Sequence, residues 1–134
     1  MEIPFLDLRI VDEKQRSALS NAVADVLKSG KLIDGPAVSQ LESKFCDRVG
    51  TRYAVAVDSG HGALFLAFQG LGIGPGDEVI IGALGWVGTA NAVMCCGAVP
   101  VFVDVRRDFN VDPALIEQAI GPKTKAIVVV HVNG

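Results

Sequence analysis

The sequence predicts an α/β fold: a mostly parallel sheet with helices on both faces. Three observations carry this expectation. Short apolar runs alternate along the chain with longer amphipathic stretches. Runs such as Val79-Ile80-Ile81 and Ile127-Val128-Val129-Val130 are continuously apolar, as strands covered on both faces are. After the first run, each connection is long enough to hold a helix, which parallel neighbours require.

The elements follow in order. Asp12 to Ser29 reads as a helix, with Asp12 as cap and Gly30 as stop. Leu19, Ala22, Val23, Val26 and Leu27 form its apolar stripe. Asp34-Gly35-Pro36 opens a second helix, with Pro36 where a missing N–H costs nothing. Its stripe is Val38, Leu41, Phe45 and Val49. Tyr53-Ala54-Val55-Ala56-Val57 reads as a buried strand, and Ser59-Gly60 ends it and opens a third helix. Leu64, Phe65, Ala67, Phe68 and Leu71 are expected inside. Glu78–Ile81 is the next strand, followed by a helix over Val87–Cys96 and a strand over Val99–Asp104. Asp112-Pro113 caps a helix to Ile120, and Ala126–His131 is the last strand. Four strands are expected, and no helix follows the last to cover the sheet. The domain therefore reads as incomplete, with residues 1–50 an N-terminal helical segment and 51–134 the first half of an α/β domain.

Composition bounds the function. The chain has 134 residues and a formal charge of −3, a length suited to one domain. Half the residues are hydrophobic and 20% are charged, which excludes a disordered or collagen-like chain. The mildly acidic balance gives no footprint for nucleic acid. No apolar run approaches the roughly 18 residues that span a bilayer, and the first ten residues lack the basic and apolar regions of a secretory signal. Cys46, Cys95 and Cys96 are odd in number and two are adjacent, which fits neither a disulfide framework nor a zinc spacing. Cys95 and Cys96 read as core, and a reducing cytoplasm is the expected compartment.

Two glycine-rich segments invite a ligand. Gly70 to Gly76 precedes a strand and follows a helix, the reverse of a dinucleotide loop, so it reads as a plain helix-to-strand turn. Asp58-Ser59-Gly60-His61-Gly62 is placed between a strand and a helix, where free N–H groups and the positive helix end suit phosphate. Gly60 and Gly62 permit close backbone approach, and Ser59 and His61 can add side-chain donors. The alternative is an ordinary strand–helix turn. Trp86, the single tryptophan, stands among small residues and either offers an open face to a flat ligand or packs against a helix. His131 reads as a site residue or a core histidine bonded to backbone. No nucleophile–base pair and no metal set emerges.

Taken in order, the segments resemble a known family. They are Gly35-Pro36 before Leu41-Glu42 and Phe45; Ala54 to Gly60; Ala63-Leu64; Gly72 to Ile80; Trp86 to Ala90; Gly97 to Asp104; Asn110 to Pro113; and Lys123 to Ile127 leading to His131. The resemblance runs from Ile3-Pro4-Phe5-Leu6-Asp7-Leu8 to Gly134 and is to the DegT/DnrJ/EryC1/StrS aminotransferases. These depend on pyridoxal 5′-phosphate and mostly act on nucleotide-linked keto sugars of polysaccharide or antibiotic biosynthesis. The fold it implies is the aspartate-aminotransferase type, of whose large domain this chain would be the N-terminal part, working as a homodimer. It implies that Ser59, Gly60, His61 and Gly62 hold the cofactor phosphate and that Trp86 lies on the pyridine ring. Thr89 and His131 would be near the site, and Leu32-Ile33-Asp34-Gly35 would approach it or that of a partner subunit.

The sequence departs from the family pattern in places. His61 stands where the family usually has Thr, and Gly82-Ala83-Leu84-Gly85 lacks the usual Pro and Thr. In the family an Asp pairs with the pyridine nitrogen and a Lys binds the cofactor covalently. The resemblance puts both after His131, outside these 134 residues, and none of Lys14, Lys28, Lys31, Lys44, Lys123 or Lys125 matches that motif. The chain is expected to hold no catalytic residue and to be inactive alone. The implied substrates of the whole enzyme are a nucleotide sugar and an amino acid, glutamate or glutamine. A sugar dehydratase of the same family and a non-catalytic phosphate- or nucleotide-binding α/β module remain open alternatives. The resemblance implies one further feature of the sheet: Glu78–Ile81 would lie between two parallel neighbours, and Tyr53–Val57 would stand apart or move across to join them.

Overall fold

Val79, Ile80 and Ile81 are each 3% exposed or less, because their strand is the centre of the sheet. The structure is a computed structural model and describes residues 6–132. Ile3–Phe5 and Asn133–Gly134, which the family resemblance includes, lie outside the described residues. The chain forms two units, Met1–Ala56 and Val57–Gly134.

The first unit holds α1 (Glu13–Ser29) and α2 (Pro36–Val49). Asp12 caps α1 by accepting from the Gln15 N–H at 2.6 Å, which satisfies one of the donors a helix start leaves unpaired. Gly30, at φ +68°, ends it in the left-handed conformation that glycine adopts without a Cβ clash. The α2 helix begins at Pro36 and ends the same way at Gly50. Neither helix buries a residue. The stripes are in place, but Leu19, Val23, Leu27, Leu41, Phe45 and Val49 are all about half exposed or more.

The second unit holds α3 (Gly60–Gly70), β1 (Glu78–Gly82), α4 (Gly88–Cys95), β2 (Val99–Val103), α5 (Pro113–Ala119) and β3 (Thr124–Val128). The strand order is β2-β1-β3, all parallel, with Ile80 opposite Val101 on one side and Ile127 on the other. One face of the sheet, through Val79 and Ile81, packs on Phe68 of α3 and on Ala92 and Val93 of α4. The opposite face, through Ile80 and Val103, packs on Val111 and on Leu115 and Ile116 of α5. Burying a side chain such as Ile80 contributes roughly 1.5–3 kcal/mol. Helices therefore cover both faces, and Glu78–Ile81 lies in the middle, as the family resemblance implies. No helix among the described residues is long and apolar enough to cross a membrane.

Several boundaries differ from the sequence reading. Tyr53–Val57 is not a strand, so the sheet has three strands rather than four among the described residues. Tyr53 and Val55 are 78% and 79% exposed. Lacking a neighbouring strand, the run has no ladder, and the Ala56 N–H donates to Glu42 Oε1 at 2.8 Å instead. The last strand ends at Val128, not His131, because β1 ends at Gly82 and its pairing with β3 stops at Val128, which leaves Val129–His131 without a strand partner among the described residues. Ala67 and Leu71 are exposed rather than internal, since α3 ends at Gly70. Cys95 is exposed while Cys96 is buried.

The Gly70–Gly76 segment is the turn its order implies. Ile73 N–H donates to Phe68 O and Gly74 N–H to Asp77 Oδ2, both at 3.0 Å, while Gly72 and Gly76 take φ +71° and +92°. Those left-handed angles suit glycine.

Candidate phosphate- and ring-binding site

The site begins where α3 starts. Ser59 is extended and caps the helix: its Oγ accepts from the Gly62 N–H at 3.1 Å, and its carbonyl accepts from the Ala63 N–H at 2.9 Å. The Ser59 hydroxyl proton is donated to Asp58 Oδ1 at 3.1 Å. Its side chain is thus already engaged as donor and acceptor, and the Gly62 N–H is spent on it. The N–H groups of Gly60 and His61 have no partner among the described residues. A Cβ on Gly60 would meet nothing within 4 Å, so open space borders that helix end. Gly62 is glycine for another reason: a Cβ there would lie 2.5 Å from Asp58 Oδ1.

The second half of the site is the turn after β1. Ala83 N–H donates to Val103 O at 2.8 Å, and the chain passes through Gly85 and Trp86 into α4. Trp86 is 60% exposed, so its indole is largely uncovered. A Cβ on Gly88 would fall 2.2 Å from ring carbons of Trp86, so the indole rests on a position only glycine leaves clear. Thr89, 9% exposed, donates its N–H to Trp86 O at 3.1 Å and closes the turn.

His61 connects the two halves. Its Nδ1 is 3.2 Å from Gly88 O, and its ring meets the Trp86 ring edge-on, with centroids 6.4 Å apart and planes at 88°. A carbonyl oxygen only accepts, so Nδ1 is the donor and Nε2 is the nitrogen left free.

Two cavities meet at Trp86. One of about 200 Å³ runs beneath it among Ile81, Gly82, Thr89, Ala90 and Phe102. The other, about 490 Å³ and lined mostly by apolar side-chain surface, is bounded by Leu84, Trp86, Phe109, Val130 and Val132. Phe109 was not singled out in the sequence. It takes φ +66°, a conformation uncommon for a bulky residue, inside a turn held by Arg106 N–H to Asn110 O at 2.9 Å. The Asn110 side chain accepts from the Val132 N–H at 3.2 Å, tying that turn to the chain beyond β3. The one available signal was Asp108-Phe109-Asn110, a turn-forming pair of polar residues flanking an aromatic.

The structure thus brings together Ser59, Gly60, His61, Gly62, Trp86 and Thr89. His131 is exposed, three residues past the end of β3, between the cavity residues Val130 and Val132. Gly35 lies in the Met1–Ala56 unit, where it is buried; a Cβ there would meet Lys31 O at 2.5 Å. It borders an open groove of about 980 Å³ that includes Leu32, Ile33 and Asp34.

Two free N–H donors at a helix start and an uncovered indole across one imidazole suit a small molecule with an anionic end and a flat ring. Comparison with known proteins identifies the family of the chain. The model of the DegT/DnrJ/EryC1/StrS aminotransferase family matches residues 13–134. The chain is 44% identical over 133 residues to dTDP-3-amino-3,4,6-trideoxy-alpha-D-glucose transaminase of Streptomyces venezuelae, covering 98% of this chain and 35% of that protein. It is 41% identical over 133 residues to UDP-2-acetamido-2-deoxy-3-oxo-D-glucuronate aminotransferase of Pseudomonas aeruginosa, covering 98% and 37% respectively. It superposes on NtdA of Bacillus subtilis, solved with bound cofactor PMP, with a TM-score of 0.91 at 38% identity, covering 99% of this chain and 31% of that one. The chain therefore spans about a third of the length of the relatives it matches. With the family model matching nearly the whole sequence, the chain belongs to the DegT/DnrJ/EryC1/StrS aminotransferase family.

Proposed function

We propose that this chain supplies the phosphate and ring contacts of a pyridoxal 5′-phosphate-dependent aminotransferase. The whole enzyme would move an amino group from an amino acid, glutamate or glutamine, to a keto group on a nucleotide-linked sugar. The observation that carries this reading is the meeting of the α3 start with Trp86 across His61. Similarity to transaminases named for dTDP- and UDP-linked sugars supports the substrate class.

The residues fit the cofactor. When bound, pyridoxal phosphate supplies an electron sink that lets an amino group and a proton be exchanged at one carbon. The Gly60 and His61 N–H groups would bind its phosphate, helped by the positive end of α3. Trp86 would hold the ring flat and shield one face from water. The apolar wall of Leu84, Phe109 and Val130 would exclude water from the adjoining space. Thr89 keeps the indole turn closed through its N–H bond to Trp86 O. The nearness of Gly35 and His131 to a site and a homodimer rest on the family resemblance, a cytoplasmic setting on the cysteine pattern, and a division of the chain into residues 1–50 and 51–134 on the order of its apolar runs.

Pyridoxine 5′-phosphate tests the reading, because it keeps the ring and phosphate but has no aldehyde to react with surface lysines. Added to the protein, it is expected to quench Trp86 emission saturably, while pyridoxine without phosphate does so far more weakly. A response to UDP but not to pyridoxine 5′-phosphate would identify a general nucleotide-binding module and overturn the assignment.

A further inference from the structure

We propose that His61 is a positioning residue that fixes the span between the anion-binding end of α3 and the ring-binding indole of Trp86. The inference rests on the site reading above and adds a role for the His61 side chain.

The connection is physical and continuous. His61 is in the first turn of α3, so it moves with the Gly60 and His61 N–H groups. Its Nδ1 holds Gly88 O from 27 residues away in sequence, in a partly buried bond. Gly88 in turn seats the indole: it is buried, and any Cβ would strike Trp86 ring carbons at 2.2 Å. The edge-on contact of the imidazole with the same indole fixes the remaining direction. Moving α3 relative to the indole turn would break these contacts together.

A fixed span matters only to a ligand that uses both ends. Phosphate alone needs the helix start, and a flat ring alone needs the indole. A molecule carrying both gains from having the two subsites already held at the right separation. A phosphate ligand would behave differently, since its loss would weaken phosphate alone as much as the two-ended molecule. The Nδ1 donor can be supplied by an Asn side chain, which reaches a similar distance from the backbone.

The test compares wild type, His61→Leu and His61→Asn. Affinity for pyridoxine 5′-phosphate is read from Trp86 emission, and affinity for inorganic phosphate from its phosphorus NMR linewidth. His61→Leu is expected to weaken pyridoxine 5′-phosphate roughly three- to tenfold, the range for one net hydrogen bond, and to leave inorganic phosphate within about twofold. His61→Asn is expected to recover most of the loss. Equal weakening of both probes would make His61 a phosphate ligand and overturn the proposal. So would a His61→Leu variant that binds both probes as wild type does, which would leave the site reading standing. A wild type without phosphate-dependent response would overturn the site reading and the proposal together. Should His61→Leu fail to fold, the wild-type imidazole decides: nitrogen-edited NMR is expected to show the proton on Nδ1 in the neutral ring, and a proton on Nε2 alone would refute the tie to Gly88.

Discussion

The Trp86 indole lies over Gly88 so closely that a Cβ there would overlap it, at 2.2 to 2.4 Å from three ring carbons. Because Gly88 is buried and Trp86 is 60% exposed, the ring is the partner able to move.

Gly88→Ala should therefore displace the indole toward solvent rather than unfold the protein. Stability is expected to change by less than about 1 kcal/mol, below the usual range for forced overpacking, because the moving group is at the surface. Trp86 emission should shift to the red, and quenching by pyridoxine 5′-phosphate should weaken roughly tenfold. A variant with unchanged emission and affinity would show that the ring does not depend on this seat.

What was legible in the sequence was what neighbours in sequence decide. The Asp12 and Asp112 caps, the Gly30 stop and the Gly70–Gly76 turn all act within a few residues, and each forms as its pattern requires. That Val79-Ile80-Ile81 is a strand covered on both faces was also legible, because it has no polar face; its central place followed from the family resemblance. Tyr53–Val57 has a similar composition, yet a strand needs a partner, and that is set by elements far along the chain. Site geometry was legible in part. The expected strand–glycine–helix order pointed to the α3 start, although its strand does not form, and a lone Trp among small residues pointed to the indole. The His61–Gly88 bond spans 27 residues and leaves no local pattern, and neither does the placement of Phe109, 52% exposed, beside Leu84 and Trp86.

Acid should loosen the turn that carries Phe109. The Asp108 carboxylate accepts from the Asn110 N–H at 3.1 Å and from Arg106 at 2.9 Å. First the Asn110 N–H, and then the Arg106 charge, hold its pKa below the ordinary carboxylate value. A carboxyl lowered by folding contributes above its unfolded pKa, and the contribution is lost as pH falls through the lower, folded value. The Asn110 amide resonance should thus titrate with a midpoint below the ordinary aspartate range near 3.9. Asp108→Asn should abolish that step. A midpoint at or above the ordinary value would contradict the bonded turn.

The adjacent cysteines should differ in reactivity. Cys95 is exposed, whereas Cys96 is 8% exposed with its Sγ 3.8 Å from Phe65 O. Burial, and then the neighbouring Cys95, push the Cys96 thiol up, so less thiolate is present at any given pH. Iodoacetamide at mildly alkaline pH should label Cys95 at least about tenfold faster than Cys96 by peptide mass analysis. Comparable rates would mean that the α3–α4 packing around Cys96 opens readily.

Amide exchange distinguishes a paired strand from an extended run of the same composition. The N–H groups of Val79, Ile80 and Ile81 are at the centre of the sheet, between β2 and β3, and should exchange only through large-scale opening. Val55 and Val57 are in an exposed run with no ladder among the described residues, and should exchange orders of magnitude faster. Ala56 is the informative exception, because its N–H donates to Glu42 Oε1 at 2.8 Å. It should be slower than Val55 and Val57, and Glu42→Ala should remove that difference, about fivefold for a bond of net worth near 1 kcal/mol. The α2 helix should persist in this variant, since Glu42 makes no cap there and the helix retains its Gly35 start and Gly50 stop. Protection at Val55 and Val57 equal to that at Ile80 would instead mean that Tyr53–Val57 pairs as a strand in solution, through a second copy of the chain or a rearranged sheet. Repeating the measurement at two protein concentrations would separate those cases, because only pairing between copies strengthens with concentration.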